Sequence, residues 1–181
     1  FDCWRDKDHV IQPFEVPAHW TRFRAVDWGS ARPFSVGWWA IAGEATSTPS
    51  GPIPRGAMVR YREWYGAKEP NVGLKMRAQD VATGIKERSP KAEKIAYTVC
   101  DPAMWIEDGG PSIAEMFESQ GVYCVRADNK RIPGWVQVRN RLIGEDGRPM
   151  LYVFSTCQAL IRTLPSLQHS DLKPEDVDTD G

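Results

Sequence analysis

The sequence predicts an α/β fold in which helices pack on a mixed sheet. Residues 22–65 read as three strands in succession, after which the apolar spacing changes from strand-like to helical. From Ile95 onward, short apolar runs alternate with amphipathic ones. An antiparallel three-strand meander followed by alternating helices and strands makes one mixed sheet with helices packed on it. The length of 181 residues suits a single core, and 41% hydrophobic with 26% charged residues is ordinary for a folded chain.

The first strand is the weakly alternating Arg22–Asp27. A turn over residues 28–33 leads to the aromatic and β-branched run Phe34–Ala42. Residues 43–56 are so rich in Gly, Pro, Ser and Thr that they predict a long loop without a regular element. Ala57–Tyr65 resumes as the third strand. Leu74, Ala78, Val81, Ala82 and Ile85 share one helical face, with Asn71 as cap and Pro90 as stop. Ile95–Cys100 is a strand running into Asp101-Pro102. Ser112-x-x-Glu115 is a capping box that opens a helix through Phe117, closed by Gly121. Val122–Val125 reads as a strand and Pro133 as the start of a helix carrying Ile132, Trp135, Val136, Arg139, Leu142 and Ile143 at helical spacing. A turn at 144–147, a strand over Met150–Phe154 and a helix over Thr156–Leu164 complete the order. Residues 1–20 read as an arm or linker, and His169–Gly181 is polar and acidic.

Several classes of function are excluded. No run approaches the roughly 18 apolar residues of a membrane helix, and no basic leader with an apolar stretch opens the chain. The chain lacks an initiator Met and reads as a fragment or processed piece. With 23 basic and 24 acidic residues it is no globally basic nucleic-acid binder. It has no G-x-x-x-x-G-K-[ST], so it does not hold a nucleoside triphosphate on a P-loop, and neither G-x-G-x-x-G after a strand nor G-x-S-x-G occurs. His9, His19 and His169 are not spaced as metal ligands. Cys3, Cys100, Cys124 and Cys157 lie far apart with no C-x-x-C, so free thiols in a reducing compartment are expected.

What remains is carboxylates at strand ends. Asp27 closes the first strand and Asp101 the fourth. If those strands are neighbours, both acids leave the same sheet edge, where hard oxygen ligands bind Mg²⁺ or Mn²⁺ and leave positions for water and phosphate. Asp is also common turn chemistry after a strand, which weighs equally on each residue taken alone.

Val26-Asp27-Trp28-Gly29, Cys100-Asp101-Pro102-Ala103-Met104-Trp105, Ser112-Ile113-Ala114-Glu115, Asn129-Lys130-Arg131-Ile132-Pro133-Gly134-Trp135 and Glu175-Asp176-Val177-Asp178-Thr179-Asp180-Gly181 occur in this order. Together they resemble the nuclease domain of the large terminase subunit of tailed bacteriophages and prophages. The resemblance covers roughly residues 20–181 and implies a ribonuclease-H-like fold over 21–181, truncated before its last helix. Residues 1–20 are then the linker from an upstream ATPase domain. It implies a metal-dependent endonuclease that cuts concatemeric viral double-stranded DNA during packaging. The expected setting is the bacterial host cytoplasm, and the expected partners are DNA, the terminase small subunit and the portal. By motif match, Asp27 and Asp101 are the catalytic acids that hold two Mg²⁺ or Mn²⁺ ions. The family's third acid falls beyond Gly181, and neither Asp178 nor Asp180 is assigned to it. A resolvase- or transposase-type nuclease and a non-catalytic DNA- or portal-docking module stand as alternatives.

A nuclease that cuts many sequences holds the phosphate backbone. Setting aside Lys173 and the acids of the tail leaves 22 basic and 19 acidic residues, net +3. The best basic cluster is Arg126, Lys130, Arg131, Arg139 and Arg141, near the Trp135 helix. Lys130 and Arg131 are the first choices for phosphate contact, with Arg126 and Arg32 behind them. A solvated helix face explains the same charges. Trp38, Trp39 and Trp64 are expected to pack, and Trp28 and Trp105 to wall the site.

Overall fold

The run beginning near Phe34 forms a strand, as its aromatic and β-branched side chains favour, and that strand is central in a seven-stranded mixed sheet. The computed structural model describes residues 2–168 and residue 176. In chain order the elements are α1 (Asp6–His9), β1 (Val10–Ile11), β2 (Thr21–Asp27), β3 (Ser35–Ile41), β4 (Thr46–Thr48), β5 (Gly51–Ile53), β6 (Met58–Tyr65), β7 (Ala67–Glu69), β8 (Val72–Gly73), α2 (Ala78–Glu87) and β9 (Tyr97–Cys100). A 3₁₀ turn (Pro102–Trp105), α3 (Ile113–Ser119), β10 (Cys124–Arg126), α4 (Arg131–Ile143), β11 (Leu151–Phe154) and α5 (Gln158–Thr163) follow. The sheet order is β1-β11-β6-β3-β2-β9-β10. The expected meander strands β2, β3 and β6 are neighbours in it, and β2·β9, β9·β10, β11·β6 and β1·β11 pair in parallel.

The chain forms two compact units. The first comprises Phe1–Trp20, Ala40–Arg62 and Lys130–Gly181. Its core includes Ile11, Trp20, Ile53, Val59, Leu142, Val153 and Phe154. Buried His9 donates from Nε2 to the Leu142 carbonyl at 2.9 Å, so Nδ1 accepts the Arg5 N–H at 2.9 Å. The segment expected as an arm thus holds a helix and an edge strand.

The second unit comprises Thr21–Trp39 and Glu63–Asn129. Val26, Phe34, Trp38, Val81, Ile85, Met104 and Phe117 form its core. Trp38 is wholly buried, and its indole N–H donates to Ser89 Oγ at 3.0 Å. Trp64 packs edge-on against Phe34, and Trp39 stacks on Phe23. The capping box forms as expected: Ser112 Oγ accepts the Glu115 N–H at 3.2 Å, and Glu115 accepts the Ser112 N–H at 2.7 Å.

Three expectations are corrected. Residues 43–56 contain the β4–β5 ribbon, because Gly51 takes a φ of +108° at the turn and Thr48 Oγ1 bonds the Gly51 carbonyl at 2.6 Å. The helix expected from Asn71 and Leu74 begins only at Ala78. Asn71 instead turns the β7–β8 ribbon with a φ of +60°, and Leu74 is exposed. The cysteines are not all free, since Cys100 and Cys124 form a disulfide and only Cys3 and Cys157 remain thiols.

Candidate metal and phosphodiester site

Strand register builds the site. In the parallel β2–β9 pair Val26 stands opposite Cys100, and both are buried. The next residues, Asp27 and Asp101, therefore leave the sheet side by side at one edge, where the Asp101 N–H reaches the Val26 carbonyl at 3.4 Å. Asp101 accepts the Ala103 N–H through Oδ1 at 2.7 Å and so caps the 3₁₀ turn that Pro102 opens. That bond fixes the direction of the carboxylate. Asp27 lies at the sheet edge within reach of solvent, yet burial pushes its carboxyl above the usual carboxylate range, and the charge of Asp101 adds to the rise.

The donor chemistry suits a hard divalent cation. A carboxylate whose ionisation burial and a neighbouring acid already disfavour, as at Asp27, gains from a cation placed beside it. Among the described residues no group of three His, Cys, Asp or Glu side chains gathers to hold a metal. Asp178 and Asp180, the unassigned tail acids, lie outside the described residues.

The basic candidates separate. Arg126 ends β10 in the unit that carries both acids, opposite Cys100, with its guanidinium carbon 4.8 Å from the centre of the Trp105 ring. Arg32 is exposed in the loop after Asp27. That loop is pressed on Gly73, where any Cβ would run into the Ser30 and Arg32 carbonyl oxygens. Lys130, Arg131, Arg139 and Arg141 belong to the other unit. There Arg131 pairs with Asp176 at 3.1 Å, and Asp176 also accepts the Trp135 indole N–H at 3.2 Å. Arg139 pairs with Asp2. Of the expected wall residues, Trp28 meets buried Phe117 edge-on, and Trp105 underlies Arg126. Sequence reading grouped Arg126 with the α4 charges; the β9–β10 pairing, invisible without the fold, assigns it to the unit that carries Asp27 and Asp101.

The seven-stranded mixed sheet in this strand order, with its helices, is a ribonuclease-H-like α/β fold. Solved structures share this fold. The chain is similar to the large terminase of the thermophilic bacteriophage D6E in complex with ADP, at 16% identity and a TM-score of 0.72 over 98% of its length. It spans 39% of that protein. The P22 large terminase nuclease domain superposes with a TM-score of 0.68 and 15% identity, over 97% of this chain and 81% of its own. The large terminase nuclease of thermophilic phage G20c, with bound cobalt, matches at 12% identity and a TM-score of 0.53, over 91% of this chain and 80% of its own. No family model and no curated protein matches the sequence. At these identities the likeness establishes the fold, and it agrees with the resemblance carried by the sequence motifs.

Proposed function

We propose that this chain is the metal-dependent endonuclease domain of a large terminase and cuts concatemeric viral double-stranded DNA during genome packaging. One observation carries the reading: Asp27 and Asp101 leave neighbouring parallel strands side by side, on the fold of terminase nuclease domains. Asp27 and Asp101 would hold Mg²⁺ or Mn²⁺, two ions in all. The bound ions supply charge stabilisation for hydrolysis of a phosphodiester. The protein's part is to fix the two carboxylates: the β2–β9 register sets their spacing and the Ala103 N–H orients Asp101. Lys130, Arg131 and Arg32 supply backbone charge for DNA, with Arg131 available once Asp176 releases it. In the full-length protein an ATPase domain would precede this one, and the small subunit and portal would be its partners in the bacterial cytoplasm. No helix among the described residues is long and apolar enough to cross a membrane.

The test is cleavage of supercoiled plasmid with Mn²⁺, Mg²⁺ or EDTA, by this chain and by one extended past Gly181. Metal-dependent nicking that Asp27→Asn or Asp101→Asn reduces at least ~100-fold is expected, a loss on the scale of removing an electrostatic stabiliser of the transition state. No cutting by either chain, with no divalent ion bound, would instead favour a non-catalytic docking module.

A further inference from the structure

We propose that Arg126, seated on Trp105, grips the phosphate backbone beside the carboxylate pair and positions the strand to be cut; the inference rests on the nuclease reading above. Three observations carry it. The first is register. Val26, Cys100 and Arg126 stand level on three adjacent parallel strands, so Arg126 ends its strand at the edge from which Asp27 and Asp101 emerge. Its backbone is one strand spacing, about 4.8 Å, from that of Cys100, the residue before Asp101.

The second observation is the platform. Trp105 closes the 3₁₀ turn whose first carbonyl and cap come from Asp101. The ring under the arginine and the second acid are therefore parts of one short, hydrogen-bonded turn. A guanidinium that stacks on an aromatic ring uses its face and keeps its N–H donors at the edge, directed away from the ring plane's centre and suited to a phosphate's oxygens. Stacking also removes rotamer freedom before DNA arrives, which lowers the cost of forming the contact.

The third is charge. Arg77, Arg131 and Arg139 are each held by a carboxylate, from Asp80, Asp176 and Asp2 respectively. Arg126 is exposed, and among the described residues no carboxylate pairs with it. An arginine kept on a ring at the strand end next to that of Asp101, with no ion-pair partner among the described residues, is suited to an external anion. A duplex presents that anion as a run of phosphates, which two acids alone would repel.

The experiment measures binding of a fluorescent duplex by anisotropy across a salt series without divalent ions, so that nothing is cut. Arg126→Ala is expected to weaken binding about 3- to 10-fold and to flatten the slope of log K against log salt by ~0.9, the mark of one lost phosphate contact. Arg126→Lys should keep the slope, because the charge remains. Trp105→Ala should weaken binding without changing the slope, because it removes the platform and not the charge. In cleavage by the chain extended past Gly181, Arg126→Ala should lower kcat/KM at least 10-fold with part of the loss in kcat. Wild-type binding, slope and kinetics in Arg126→Ala would overturn the proposal. So would a loss accompanied by a lowered Tm and an unchanged slope, which marks a structural role. Unimpaired cleavage by Asp27→Asn would overturn the nuclease reading instead.

Discussion

Asp27 and Asp101 are coupled: burial first, and then the negative charge of Asp101, hold the Asp27 carboxyl above its ordinary range. A carboxyl whose folded pKa exceeds its unfolded value binds its proton more tightly in the native state. Ionising it therefore costs stability. The cost is absent below the unfolded pKa of roughly 3.9, grows as pH rises through the folded value and is complete above it. Asp27→Asn should raise Tm at pH 7 without divalent ions and leave it unchanged near pH 3. Thermal melts at the two pH values check this, and a lowered Tm at neutral pH would count against the coupling.

Divalent ions should reverse that ranking. A ligand that binds only the native state stabilises it by about 1.4 kcal/mol at ten times its Kd. Mn²⁺ is expected to raise the Tm of the wild type and to leave Asp27→Asn and Asp101→Asn nearly unmoved. Equal shifts in all three proteins would place the ion elsewhere.

Asp101 has two separable duties. Its Oδ1 caps the 3₁₀ turn, and its charge faces Asp27. Asp101→Asn keeps an acceptor for the Ala103 N–H, whereas Asp101→Ala removes it, a loss of about 1 kcal/mol for a cap. Both variants should fail to cut DNA, and only the alanine variant should unfold at lower urea. Urea titrations beside the plasmid assay distinguish the two duties.

Much of this arrangement was legible from residue order. An acid directly after an apolar run is visible in any sequence, and Asp27 and Asp101 both satisfy it. The capping box at Ser112 and Glu115 was equally local. What escaped was set by distant pairing or by turn chemistry with two readings. Asn71 serves equally as a helix cap or as the left-handed residue of a tight turn, and packing of Gly73 under the Ser30–Arg32 loop decides for the turn. Cys100 and Cys124 are 24 residues apart in sequence, and only the parallel β9–β10 register brings their Cα atoms to 5.9 Å. Arg126 belongs beside the acids for the same reason.

The close packing at Gly73 makes a further prediction. Its N–H bonds the Ala31 carbonyl at 2.8 Å, and the neighbouring carbonyl oxygens leave no room for a methyl group. Gly73→Ala should cost about 2 kcal/mol, since backbone rather than a flexible side chain must give way. Because the loop it displaces begins at Asp27, Mn²⁺ should also bind more weakly. A urea midpoint and an Mn²⁺ affinity equal to wild type would show that the loop yields freely.

The parallel pairing of β1 with β11 sets an order of assembly. Val10 and Val153 meet across a strand pair drawn from opposite ends of the chain, so β1 has no partner until β11 has been synthesised. The unit bearing Asp27 and Asp101 is built from Thr21–Trp39 and Glu63–Asn129, all of which leave the ribosome earlier. Loop-closure entropy delays the longest-range contact. The acid-bearing strands can therefore pair during translation before β1 does, and a ribosome stalled before β11 would display the Asp27–Asp101 edge with β1 still unpaired.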